Sequence, residues 1–219
     1  MSLRFHSNLT FRTRETKAGY IYDKYREILI GRIADVGADK QHLLAHLPPD
    51  CAYTAIGLEP DHDVRVDLEE KIPLPDDAFD CVLCLSVLEH VENLHQLFDE
   101  LCRITRRWLI LQVPNAWAHF LGMLRYGVYQ PDRPMKFYNL PNGPPRDRHR
   151  WFFSATEAER FFRERGRQNG MTVTQIDTSG PRGPKRAAYA VLLRPFVHRS
   201  ISLHDLLATE VWAVLCKEK

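Results

Sequence analysis

The stretch Arg32–Leu44, RIADVGADKQHLL, starts with the apolar density of a buried strand, turns at a single glycine and continues with helical spacing. Such a strand–turn–helix unit is the repeating element of an α/β sheet. Upstream, TRETKAGYIYDKYREILI (residues 13–30) places Tyr22, Tyr25, Ile28 and Leu29 on one face of a leading helix. Downstream, PPD interrupts the helix DKQHLLAHL, and YTAIGL and VRVDL follow as strands. The apolar run FDCVLCLS, preceded by the turn PLPDDA, predicts a strand buried on both faces. HVENLHQLFDELCRITR then has helical spacing, and RWLILQVPN is a further central strand. Strands alternating with helices imply a parallel sheet, to which MTVTQIDTS and the closing TEVWAVLCKE add two more strands.

The chain has 219 residues, 44% of them hydrophobic, enough for one α/β domain to bury a core. Thirty basic and 28 acidic side chains leave a formal charge of +2, so no global field favours nucleic acid or an anionic membrane. The five cysteines are scattered and odd in number, as expected of buried thiols in a reducing compartment. Cys81 and Cys84 have the CxxC spacing of a zinc site, but in one buried strand they face opposite sides of the sheet. The first residues hold no apolar signal core, and no run approaches the ~18 apolar residues of a membrane span. These features predict a cytoplasmic protein.

Residues 116–150 break the alternation. They hold five prolines between Pro131 and Pro145, with aromatics at Trp117, Phe120, Tyr126, Tyr129, Phe137 and Tyr138. A connection this long and this aromatic predicts a lid or substrate-binding insertion. SATEAERFFRERGRQNG then predicts a helix capped by Ser154, with Glu157 completing the capping box and Gly170 as the stop. After the basic turn PRGPKR, the apolar segment AAYAVLLRPFVHR is expected to be helical or core-filling.

In an open parallel sheet, ligands bind beyond the carboxyl ends of the strands, where the winding reverses. Here those ends carry Asp35, Gly37 and Asp39, then Glu59, then Asp67, then Ser86 with Glu89 and His90. Carboxylates at successive tips suit a ribose or an ammonium group and repel a pyrophosphate.

The series ADVGADK, IGLEP, VRVDLEEKIPLPDDAFDCVLCLSVLEHV and WLILQVPN resembles the class I S-adenosylmethionine-dependent methyltransferases, particularly the small-molecule O-methyltransferase group. The likeness covers about residues 32–115, with DRHRWFFSATEAERFF as further support. It implies a Rossmann-like, mostly parallel seven-stranded sheet with helices on both faces and an antiparallel last strand, in a single domain over residues 1–219. It implies S-adenosyl-L-methionine as the cofactor, Gly37 at the turn near its methionine part, and Glu59 on the ribose hydroxyls. Asp67 and the Leu68 backbone would lie at the adenine and Ser86 near the sulfonium, with Asp35 and Asp39 completing the cofactor set. A carboxylate accepts two ribose hydroxyls at once, and apolar walls exclude water from a ring. The chain departs from the family at Asp39 and Gln41, where further glycines are usual, and in the short link DHD before Val64, where a helix is usual. Asp39 would either repel the cofactor's carboxylate or pair with its ammonium.

Each site residue has a structural reading too. Asp35 could bind backbone amides or cap a helix, Glu59 could be a solvated turn residue, and Asp67 could cap the turn LEEK. Some relatives hold a divalent metal with an acidic residue three positions before a Glu-His pair. That position is Ser86 here, so no metal is expected, and His90 would wall the pocket or cap the helix. His149, in DRHRWFFS, is either a general base at the mouth of the site or a surface histidine among Arg146, Arg148 and Arg150. The expected activity is methyl transfer to an oxygen, or less favourably a nitrogen, of a small molecule or glycan, with His149 or His90 as base. The competing readings are a cofactor-binding scaffold without turnover, suggested by Asp39 and Gln41, and a nucleic-acid methyltransferase, suggested by the arginines and opposed by the net charge.

Overall fold

The computed structural model describes residues 4–6, 11, 13–126, 143–144, 147–179, 188 and 191–217. Eight strands form one sheet: β1 (Arg4–His6), β2 (Arg32–Val36), β3 (Ala52–Gly57), β4 (Val64–Arg65), β5 (Phe79–Leu85), β6 (Thr105–Pro114), β7 (Met171–Ser179) and β8 (Glu210–Lys217). Their order is β1-β7-β8-β6-β5-β2-β3-β4, and only β8 runs antiparallel to its neighbours. The seven anticipated strands are present, with the last one antiparallel. The eighth, β1, is a three-residue addition at the β7 edge. From β2 the chain winds outward through β3 to β4, whereas from β5 it winds the other way to β6. The winding therefore reverses between β2 and β5, and this is where a ligand crevice is expected.

Helices cover both faces. On one, α1 (Arg14–Tyr25) packs Ile21 and Tyr25 with Leu29 on Ile33, Cys81, Leu83, Ile110 and Trp212. On the other, α2 (Leu94–Ile104) and α4 (Ala155–Gln168) pack Phe98, Leu101 and Phe162 on Val82, Cys84, Leu109 and Leu215. Cys81 and Cys84 thus belong to opposite cores, as their spacing within one strand requires. Ser154 caps α4 and Glu157 closes the capping box, with Gly170 in the left-handed region beyond the last turn. Two further helices, α3 (Ala116–Tyr126) and α5 (Leu203–Leu207), meet through Leu121 and Leu206.

Three elements differ from the sequence reading. The leading helix ends at Tyr25, and residues 26–28 leave it in a turn. DKQHLLAHL forms only a 3-10 turn, His42–His46, because Gln41 enters with φ +51° and Pro48 and Pro49 stop it. In AAYAVLLRPFVHR, the described part turns helically, but Val191, Leu192 and Phe196 are exposed and fill no core.

The turn PLPDDA is held from below. The Arg103 guanidinium donates to the carbonyls of Ile72 and Leu74 and to the carboxylates of Asp76 and Glu100. Glu69, one loop earlier, accepts from the backbone N–H groups of Glu92 (2.6 Å) and Asn93 (2.9 Å), supplying the cap that Asn93 itself does not give α2.

Candidate active site

At the reversal point lies a cavity of about 240 Å³. Its wall is formed by Asp35 within β2 and Gly37, Ala38 and Asp39 beyond it, by Leu85 at the end of β5 and the following Ser86, and by Arg14, Lys17 and Ile21 from α1. Gly37 has φ +75°, and a Cβ there would lie 2.3 Å from Val87 Cγ2, so the turn admits only glycine. The following link is drawn onto this turn. His62 Nε2 lies 2.9 Å from the Ala38 carbonyl, and Gln41 Nε2 donates to the Asp61 carbonyl at 3.0 Å. The short DHD connection therefore covers the flank that a helix would otherwise occupy.

Asp35 accepts a hydrogen bond from the Tyr53 hydroxyl at 2.9 Å. Burial raises its pKa to about 6, against the opposing effects of Tyr53, His62 and Lys17. Asp39 is ion-paired with Arg14, so it neither plugs the cavity nor presents an uncompensated charge to it. Ser86 ends β5 with φ +59°, a left-handed conformation costly for a residue with a Cβ, and its backbone N–H donates to the Gln112 carbonyl at 2.8 Å. Its hydroxyl donates to Gln112 Oε1 at 2.6 Å, and Lys17 Nζ donates to the same oxygen at 2.9 Å. Burial lowers the Lys17 pKa, and the charges of Glu210, Glu89 and Asp35 oppose that shift.

Of the residues singled out from sequence, the cavity unites Asp35, Gly37, Asp39 and Ser86. Glu59 is exposed, two residues past β3, and its carbonyl accepts from the His62 N–H. Asp67 is exposed, and its carboxylate accepts from the Glu69 N–H at 3.0 Å, closing the LEEK turn, while Leu68 packs against the core. His90 and His149 are outside the wall but next to each other, with ring centroids 4.5 Å apart. The Glu89 carbonyl brings them together by accepting from the N–H groups of Arg150 (2.7 Å) and Trp151 (3.2 Å). His149 is therefore not a surface histidine. Arg146, Tyr129, Phe137, Tyr138 and the turn PRGPKR lie outside the described residues.

Lys17 is an additional cavity group, and the buried Gln112 holds it and Ser86 from behind the wall. Each left a signal: a lysine one turn before the buried Ile21, and a lone amide within the apolar strand WLILQVPN.

Residues 12–169 match the family described as a methyltransferase domain. The chain belongs to this family. Its fold is that of the S-adenosylmethionine-dependent class I methyltransferases. A S-adenosylmethionine-dependent methyltransferase from Archaeoglobus fulgidus aligns with a TM-score of 0.58 at 14% identity, covering 95% of this chain and 96% of that one. The small RNA methyltransferase HEN1 gives 0.61 at 14% identity, over 98% of this chain and 27% of HEN1. Magnesium protoporphyrin IX methyltransferase from Synechocystis, solved with bound SAH, gives 0.50 at 12% identity, over 93% and 83% of the two chains. No curated protein matches the chain. At these identities the structures share the fold, and the family supplies the activity: a methyltransferase whose cofactor is S-adenosylmethionine.

The cavity wall carries both charges that the amino-acid end of that cofactor would meet. Asp35 offers a carboxylate to an ammonium and Lys17 an ammonium to a carboxylate, so a zwitterion meets both signs in one wall. No helix is long and apolar enough to cross a membrane among the described residues.

Proposed function

We propose that this methyltransferase acts on an oxygen, and secondarily a nitrogen, of a small molecule or glycan. The observation that carries this reading is the union of Asp35, Gly37, Lys17 and Ser86 in one cavity at the point where the sheet's winding reverses. Bound there, the cofactor supplies an electrophilic methyl group on a sulfonium. The protein's task is then to hold the acceptor in line and to exclude water. Asp35 receives the ammonium, and Asp39 is kept from opposing the carboxylate by Arg14. Glu59 takes the ribose hydroxyls from the tip of the neighbouring strand, with Asp67 and the Leu68 backbone bordering the adenine. Ser86, fixed by Gln112, borders the sulfonium. His149 or His90 accepts the proton of an acceptor hydroxyl, since an imidazole titrates near neutral pH.

The chain acts as a single unit over residues 1–219, with the leading segment 13–30 closing the cavity; of the insertion 116–150 expected to select the acceptor, residues 127–142 and 145–146 lie outside the described residues. The exposed Trp117 and Phe120 on α3 suit stacking on a sugar or flat ring. Five free cysteines are consistent with a reducing, cytoplasmic setting. The near-balanced charge of +2 disfavours a nucleic-acid acceptor.

Replacing Glu59 with alanine is expected to weaken S-adenosylhomocysteine binding by about 1–3 kcal/mol through lost charge-assisted hydrogen bonds. Calorimetry showing wild-type affinity in that variant would move the ribose elsewhere. Labelled methyl transfer to a panel of hydroxylated small molecules and glycans tests the acceptor class, and transfer confined to RNA or DNA would contradict it. A scaffold without turnover is the second reading, favoured by Lys17, whose ammonium stands 3.5 Å from Ser86 Oγ and would face the like charge of a sulfonium. It requires binding of S-adenosylhomocysteine with no labelled methyl transferred to any acceptor.

A further inference from the structure

Beside the cavity, and separate from its wall, Glu89, His90 and His149 each offer a ligand atom, and these atoms lie within 4.8 Å of one another. The group is assembled by the fold. Glu89 and His90 lie in the turn that begins three residues after β5. The segment that carries His149 is stitched to them by the Arg150 and Trp151 N–H groups on the Glu89 carbonyl. Trp151 Nε1 donates to the Val91 carbonyl at 2.8 Å, and Arg150 pairs with Glu92 at 2.9 Å. Three donors from positions sixty residues apart are thus held on main-chain hydrogen bonds and not on mobile tips.

The chemistry of the group is that of a cation site. Glu89 is 1% exposed, and a buried carboxylate needs positive charge nearby. His90 Nε2 stands 3.8 Å from Glu89 Oε1, beyond hydrogen-bond reach of that atom. Two ligands of a tetrahedral ion with bonds of about 2.0–2.2 Å lie about 3.3–3.6 Å apart, so a small contraction would seat an ion between them. The other ring nitrogen of His90, Nδ1, is 2.5 Å from Asp147 Oδ1. A carboxylate on the far nitrogen orients a metal-binding imidazole and raises its basicity.

We propose that Glu89, His90 and His149 bind one divalent transition-metal ion of the zinc type, with Asp147 orienting His90. Two imidazoles and one carboxylate suit zinc or cobalt and not magnesium, which prefers oxygen donors. Three protein ligands leave a fourth position open. Glu89 is near enough to the cavity for its charge to act on Lys17, three residues beyond the wall residue Ser86. On the methyl-transfer reading, on which this role rests, the open position takes the acceptor oxygen and makes its hydroxyl easier to ionise, the proton passing to solvent, and the two histidines then act as ligands in place of bases. From sequence no metal is expected here, because Ser86 stands where some relatives carry an acid; the fold sets His149 beside Glu89 and His90 instead.

The test is zinc binding to the full-length chain after removal of metals with a chelator, read by an indicator competition and by the visible absorption of a cobalt-substituted sample. One Zn²⁺ per chain is expected, bound at least about a hundredfold more tightly than Mg²⁺. The double variant H90Q/H149Q should lose that site, and Asp147→Asn, a change at an exposed carboxylate, should weaken it about 10–100-fold. Metal-free melting curves establish that the variants fold, and the Asp147→Asn affinity decides the matter if the double variant does not. Absence of a stoichiometric zinc site in the wild type, its survival in folded H90Q/H149Q, or unchanged affinity in Asp147→Asn would each overturn the proposal. Failure of the site leaves the histidines as plain bases and the methyltransferase assignment intact. Zinc binding in a chain that transfers no methyl group would leave the site standing without its acceptor role.

Discussion

Gly37 is fixed by two independent constraints, a positive φ and the contact with Val87, and both predict the same outcome for Gly37→Ala. The left-handed conformation and the overpacking together should destabilise the fold by about 2–4 kcal/mol in urea denaturation. A loss within ~0.5 kcal/mol, the range of ordinary surface changes, would mean that the turn can relax. Asp35 makes a prediction in pH. Its folded pKa of about 6 lies above the unfolded value of ~3.9, so the stability it contributes is complete below about pH 4 and is lost as pH rises through 6. The loss is at most ~2–3 kcal/mol. Denaturation at a series of pH values should show it in the wild type and not in Asp35→Asn, and identical slopes in both would contradict the assignment. The sequence placed Asp35, Gly37, Asp39 and Ser86 correctly at strand ends, because strand direction alone decides that. It could not show that Arg14 neutralises Asp39, or that Lys17 and Ser86 share the side-chain oxygen of Gln112, since those contacts join residues brought together only by the folded sheet.

At the scale of elements, α1 was legible from its apolar face, but its most consequential buried group is a cation. Lys24 pairs with Asp177 of β7 at 2.6 Å, with the side chains 7% and 3% exposed, and its ammonium stands over the rings of Tyr25 and Trp212. Removing the cation leaves the carboxylate buried, so Lys24→Met should cost about 3–5 kcal/mol. The added Asp177→Leu should recover much of that loss, and an additive double variant would refute the coupling. Ser154→Ala removes the α4 cap seen in both sequence and structure and should lower stability by about 1 kcal/mol. A change below ~0.3 kcal/mol would show that the cap is dispensable. The helix expected over DKQHLLAHL failed for a readable reason: a left-handed Gln41 and two prolines leave room for a single 3-10 turn.

Across the whole molecule, the alternation of apolar runs and helical periods was sufficient for the sheet and its parallel sense, whereas the reversal between β2 and β5 emerges only from the strand order. An edge strand of three residues, β1, carries too little pattern to be read. The candidate site was less legible, because a cavity depends on which side chains of α1 reach across the strand tips and on how residues 147–151 fold back onto Glu89. The central claim is that the cavity at this reversal binds the amino-acid end of an adenosyl sulfonium compound. Titrating the full chain with S-adenosylhomocysteine by calorimetry tests it most directly. The account predicts one saturable site per chain, weakened about 10–100-fold in Asp35→Asn through loss of a charge-assisted hydrogen bond. No heat from the folded wild type, or wild-type affinity in Asp35→Asn, would contradict it.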